Sequence, residues 1–328
     1  MEFGRTNLPA EDDHGQDEAH SSNDEAHRFM VIGDMGGLPF FPYTTLVEMG
    51  VAKQMADMAN KTNPDFILAL GDNFYFNGVR DVTDSRFEES YEKIFDYPSL
   101  KRPWYLIAGN HDHRGNVSAE IAYSKVSQRW NFPDFYYPLS FKLSGTNSTI
   151  DILMLDTITL CGNTGSDFKD SQPLKPDNYQ ASEQQWAWLE QSLAISKATY
   201  LLVAGHFPVY SIAEHGPTEC LVDRLLPMLY KYRVTAYMCG HDHNLQHLQD
   251  SQNGVNMDFF VVGASNFIDP SRAHANAVPV DASKFHWADL LSLGGFGYVE
   301  MSTSNMTFSF IEANGKLLYQ TVMKPRSL

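Results

Sequence analysis

Eight residues able to bind a metal, move a proton or hold an oxyanion stand at the ends of five short apolar runs. They are Asp34, Asp72, Tyr75, Asn110, His111, His206, His241 and His243. Carboxylates and imidazoles are the common protein ligands of zinc, iron and manganese. Each block opens on glycine, as Gly33-Asp34, Gly71-Asp72, Gly109-Asn110, Gly205-His206 and Gly240-His241. Glycine allows a tight strand-to-loop turn and close backbone approach. One such end alone reads as a turn or a helix cap; five on one chain call for a shared site. In Gly240-His241-Asp242-His243, residues i and i+2 share a face of extended backbone. Both imidazoles are therefore expected at one centre, with Asp242 structural on the opposite face. Asp72 and Tyr75, three apart in a loop, can share an ion.

The runs that carry these residues lie at 29–32, 66–70, 104–108, 200–204 and 234–239. They are strand length and apolar throughout, as expected of strands buried on both faces. Helical patterns fill most of the gaps. One lies near 43–60, with Leu46, Met49, Met55, Met58 and Ala59 on one side. A second follows Ser182 and Gln185, which read as a capping box before Trp186, Leu189 and Leu193. A third runs near 219–230. Strand, helix, strand order predicts parallel pairing, with functional residues outside the carboxyl ends of the strands. Apolar segments at 259–262, 296–301, 306–311 and 317–322 are separated by short polar ones, and Asn314-Gly315 is a two-residue turn signal. They predict antiparallel strands of a second sheet. The fold class expected is α/β (mixed α+β): one domain of two stacked mixed β-sheets flanked by helices.

The chain has 328 residues, 43% of them hydrophobic, and a formal net charge of -16. That charge disfavours nucleic acid and anionic lipid as partners, and no stretch is long and apolar enough to span a bilayer. Residues 1–28 are polar and acidic and read as a disordered tail, without the apolar segment of a signal peptide; the domain is expected to span 29–328. Asn60, Asn116, Asn147 and Asn305 match the glycosylation pattern. Three cysteines allow three free thiols, or one disulfide and one thiol. Cys161–Cys220 is the favoured pair, both lying in loops, whereas Cys239 ends an apolar run and reads as a buried strand residue.

The five blocks, Gly33-Asp34-Met35-Gly36, Gly71-Asp72-Asn73-Phe74-Tyr75, Gly109-Asn110-His111-Asp112, Ala204-Gly205-His206 and Gly240-His241-Asp242-His243, resemble those of the purple acid phosphatases. Cys161-Gly162-Asn163, the segment from Ser211 through Glu214, His215 and Gly216 to Pro217, and Ser292-Leu293-Gly294-Gly295-Phe296 are similar to the small mammalian-type members. The resemblance covers nearly all of the chain from Phe29 on. Tyrosine at 75 separates that family from the wider metallophosphoesterases. Met35 stands where the family usually has tryptophan, a position that is not a ligand.

The resemblance implies a calcineurin-like metallophosphoesterase fold and an acid phosphatase. Phosphate monoesters, including phosphoproteins or nucleotides, would be hydrolysed by in-line attack of a metal-held hydroxide at a dinuclear centre. Ferric iron would take Asp34, Asp72, Tyr75 and His243. Ferrous iron or zinc would take Asp72, Asn110, His206 and His241, with Asp72 bridging. His111 is the first candidate to hold a phosphate oxygen or protonate the leaving group. His215 is the second, tuned by Glu214, and Asp112 and His113 are weaker ones. The polar loop at 163–181 would be a repression loop cut by an activating protease, with Asp167-Phe168 at the inhibitory contact. A monomer in the lysosome or outside the cell is expected. The alternative with the same core is a metallophosphodiesterase or phosphoprotein phosphatase, which usually lacks the tyrosine ligand. A non-catalytic relative is disfavoured because no ligand position is lost.

Overall fold

The computed structural model describes residues 26–143, 146–166 and 171–327. Most of the expected acidic tail, and Asp167-Phe168, lie outside the described residues. The strands are β1 (His27–Ile32), β2 (Phe66–Ala69), β3 (Trp104–Leu106), β4 (Trp130–Asn131), β5 (Tyr137–Lys142), β6 (Thr149–Met154) and β7 (Tyr200–Ala204). They continue as β8 (Ala236–Cys239), β9 (Leu245–Gln252), β10 (Val255–Val262), β11 (Ser283–Trp287), β12 (Gly295–Met301), β13 (Met306–Glu312) and β14 (Leu317–Met323). The helices are α1 (Leu46–Thr62), α2 (Val117–Tyr123), α3 (Thr157–Cys161), α4 (Tyr179–Ile195) and α5 (Glu219–Lys231). Strand β1 starts at His27, where His27 pairs with Asp65 and Arg28 with Glu300.

Two mixed sheets stack as expected, one ordered β14-β13-β12-β1-β2-β3-β4 and the other β11-β9-β10-β8-β7-β6-β5. Their memberships differ from the sequence reading. The late antiparallel strands β12, β13 and β14 are not a sheet of their own; they extend the first sheet through β12 against β1. Segment 259–262 belongs to β10, which lies parallel to β8 in the second sheet and antiparallel to β9.

The apolar runs are continuous because both faces of the second sheet are covered. Leu202, Ala204, Met238 and Phe260 point into the core between the sheets, where Phe260 stacks on Phe308 of β13 at 3.9 Å. Their neighbours Leu201, Val203, Tyr237 and Phe259 point outward, under Trp186 of α4 and Leu225 of α5.

Two helix details depart from expectation. The buried face of α1 is Val51, Ala52, Met55, Ala56 and Ala59, while Leu46 and Met49 are 72% and 43% exposed. The helix starts at Leu46, after the N-cap Thr45, rather than near the expected 43. Helix α4 is capped by Asn178, whose side chain accepts the N–H of Ala181. Ser182 donates to Leu160 O, and the amide of Gln185 clasps the backbone of Asp156. The residues read as a capping box thus dock α4 onto α3.

Candidate metal centre

The five glycine-led blocks leave the carboxyl ends of β1, β2, β3, β7 and β8, so both sheets contribute to one place. Three of the turns are sharp: Asp34, Asp72 and His241 have φ of 58°, 51° and 72°. A non-glycine residue pays about 1–2 kcal/mol for that conformation, and here hydrogen bonds offset it. The N–H of Asp34 donates to Gly71 O at 3.0 Å, and that of His241 donates to the Asp34 carboxylate at 2.9 Å. Glycine is required at 109, where a Cβ would lie 2.2 Å from Asp72 Oδ1. The loops after β2 and β3 thus touch backbone to side chain.

The expected residues converge. Asp34, Asp72 and His206 offer ligand atoms all within 4.8 Å of one another. The Tyr75 hydroxyl donates to Asp34 Oδ1 at 3.1 Å, and His243 Nδ1 lies 4.0 Å from the same oxygen. The His241 and His206 rings are 5.1 Å apart, edge to face. The two histidines of the last block arrive through a left-handed turn rather than the extended backbone expected of them, because His241 must bend back to reach the Asp34 carboxylate. A cavity of about 120 Å³ is lined by Asp72, Tyr75, Asn110, His111, His241 and His243, with Glu214 and His215 on another wall.

The donor set fits metal ions. His206 Nδ1 donates to Leu70 O at 2.9 Å, which leaves a lone pair on Nε2. That lone pair lies 2.9 Å from the Oδ1 of Asn110, itself an acceptor. An imidazole lone pair and a side-chain amide facing one another in this way are both available to a cation. His243 Nδ1 is buried without a hydrogen-bond partner among the described residues. Burial and the charge of Asp72 push the Asp34 carboxyl well above the usual range. Burial also opposes charge on Asp72, but the histidines around it, led by His206, hold it below its ordinary value. Burial pushes the Tyr75 phenol well up, and it lowers His241 well below its usual value and His243 to about 4. Crowded carboxylates beside neutral imidazoles form a set that multivalent cations would stabilise.

The expected proton-handling residues also line the site. His111 Nδ1 donates to Phe76 O at 2.6 Å, and Nε2 lies 3.9 Å from Asp72 Oδ2. His215 stacks on the His241 ring at 4.2 Å, and its backbone N–H donates to Asp242 Oδ1 at 3.0 Å. Glu214 is raised above its usual value by partial burial and by Asp269. His113 turns away to the Asp156 carboxylate at 2.9 Å.

The sequence reading missed the aromatic wall of the site. Phe267, in the loop after β10, lies 5.0 Å from the Tyr75 ring and stacks near Phe76. Nothing local marks Phe267, since its place depends on how the two sheets meet. Thr164 and Ser166 of the polar loop also line the cavity. Helix α4 takes over at Tyr179, so that loop ends earlier than the expected 181.

The Cys161–Cys220 disulfide is present and Cys239 is a buried thiol. The bonded cysteines lie at the end of α3 and in the first turn of α5, not in loops. Residues 27–245 match the family model of the calcineurin-like phosphoesterases, and the chain belongs to that family and, within it, to the purple acid phosphatases. It is similar to human tartrate-resistant acid phosphatase type 5, with 53% identity over 303 residues, covering 92% of each chain. Purple acid phosphatase 7 of Arabidopsis thaliana is 30% identical over 93% of this chain and 88% of its own. Among solved structures, GAP50, the anchor in the inner membrane complex of Plasmodium, has a TM-score of 0.77 at 22% identity. It covers 92% of this chain and 90% of its own. At that identity the likeness is one of fold.

Proposed function

We propose that the chain is an acid phosphatase, hydrolysing phosphate monoesters at a two-metal centre. The observation that carries the reading is the convergence of Asp34, Asp72 and His206, whose ligand atoms all lie within 4.8 Å of one another, with the Tyr75 hydroxyl 3.1 Å and His243 Nδ1 4.0 Å from Asp34 Oδ1. Asp34, Tyr75 and His243 would hold ferric iron, with anionic oxygen donors suited to a trivalent ion. Asn110, His206 and His241 would hold ferrous iron or zinc, with Asp72 shared by both. Bound there, the pair supplies Lewis acidity and a clamp for the attacking and leaving oxygens of an in-line displacement.

The chain's own residues do the rest. Leu70 O fixes the tautomer of His206, and Phe76 O does the same for His111 by taking its Nδ1–H. His111 therefore works through Nε2, from which a proton can pass to the departing alkoxide oxygen or a hydrogen bond can hold a phosphate oxygen. His215, kept against His241 by Asp242, is the second group for that task, with Glu214 beside it. The loop before α4 restricts entry: Asn163 Nδ2 donates to Asn110 O, and Gln172 Nε2 donates to Pro217 O. Cleavage of that loop by a protease would open the mouth. The disulfide supports an oxidising compartment, the lysosome or the exterior. No helix among the described residues is long and apolar enough to cross a membrane.

The test is steady-state hydrolysis of an aryl phosphate and of the matching diester between pH 4 and 8, before and after chelation. The monoester should be the faster substrate, in acid, with activity lost to the chelator and restored by iron. A faster diester would favour a metallophosphodiesterase with the same core.

A further inference from the structure

We propose that Asp112 is a positioning residue, which fixes the loop carrying Asp72 and Tyr75 against the loop carrying Asn110 and His111. The proposal rests on the two-metal reading. Asp112 is fully buried, and its carboxylate accepts three backbone N–H groups. Oδ2 takes those of Gly109 at 2.8 Å and Asn73 at 3.0 Å; Oδ1 takes that of Phe74 at 3.0 Å. Gly109 immediately precedes Asn110, and Asn73 immediately follows Asp72. One side chain thus reaches both loops within one residue of a proposed ligand on each.

The same loops are joined in the other direction by Asp72, whose Oδ1 accepts the N–H of His111 at 3.0 Å. The two braces are not equivalent. Asp72 is wanted at the centre, where its oxygens would be shared with the ions, whereas Asp112 faces away from the cavity and spends its carboxylate on backbone. The loops come so close that no side chain fits at 109. A small change in their separation therefore moves Asp72 and Asn110 relative to each other. Carboxylates that hold ligands in place in this way govern metal affinity as well as rate. The Asn73 side chain backs the brace by donating to Glu120 Oε2 at 3.0 Å.

Asp112→Asn is the discriminating variant. It keeps the volume but must turn an amide N–H₂ toward backbone donors on one side. Asp112→Glu keeps an acceptor-only carboxylate. Metal retention against a competing chelator, metal-free far-UV circular dichroism and melting, and kcat and KM for an aryl phosphate are measured on both. The Asn variant should fold without metal as the parent does, lose metal at about 10-fold lower chelator, and drop about 10-fold in kcat with KM within about threefold. The Glu variant should retain metal better than the Asn variant. If the Asn variant retains metal and turns over within about twofold of the parent, the proposal is overturned. It is overturned equally if neither variant folds, since Asp112 would then serve the fold as a whole. Metal retention is read without turnover. A parent chain that binds two ions and hydrolyses no monoester would therefore sink the functional reading and leave this one standing.

Discussion

His111 follows Asn110 directly, yet its ring is tied through Nδ1 to a backbone carbonyl and turns Nε2 toward the cavity. The seven proposed ligands are complete without it, so its removal should spare the metals and harm the chemistry. We expect His111→Ala to retain both ions while turnover of an aryl phosphate falls by about 10-fold or more, as general-acid contributions run to about 10²–10⁴. The loss should be larger for alkyl phosphates, whose leaving groups need a proton more. Metal content and turnover of paired aryl and alkyl substrates check this; near-normal alkyl turnover with metal intact would pass the role to His215. These residues were legible in the sequence because each ends an apolar run behind a glycine, a local pattern. Phe267 was not, since it reaches the site only through the packing of the sheets. Asp112 was named only as a weaker proton-handling candidate, and its bracing role shows once its three backbone donors are seen.

At the scale of elements, α3 and α5 are joined by the disulfide, and the polar loop leaves directly after Cys161. The bond closes a sequence separation of 59; loops of that size contribute about 2–4 kcal/mol through the unfolded chain. Replacing both cysteines with serine should lower the urea-unfolding free energy by about that amount. Helix α3 is capped by Asp156, which also meets His113. Burial works against charge on both, but each partner's charge outweighs it, raising His113 above 6.5 and lowering Asp156 below 3.8. The His113 contribution to stability is therefore complete below pH 6.5 and lost as pH rises through its raised value. The Asp156 contribution is present above pH 3.8 and lost as pH falls through its lowered value. The pair works in full between those limits, so His113→Gln should cost more stability at pH 5 than at pH 8 in paired urea melts. Cleavage within 163–178 should raise turnover, read by assaying nicked against intact protein. Strand and helix positions were legible from apolar runs, but Ser182 and Gln185 show the limit. Their spacing fits a cap, and the neighbouring helix claims them instead.

Across the whole molecule, the first sheet supplies Asp34, Asp72, Tyr75 and Asn110, and the second supplies His206, His241 and His243. The stacking of two sheets was legible from the order of elements. Which strands join which sheet was not, because β12 pairs with β1 across most of the chain and no local signal selects that partner. A centre assembled from both sheets couples metal binding to the fold, since ions that bind only the folded state stabilise it by mass action. Chelation should therefore lower the melting temperature, by an amount that grows with metal affinity. The central claim is a two-ion centre with iron bound by a phenolate. It is tested most directly by metal analysis and a visible spectrum on the oxidised protein and on Tyr75→Phe. Two ions per chain, at least one of them iron, with a broad visible band that vanishes in the variant, is the expected result. A colourless oxidised protein holding only zinc would contradict it.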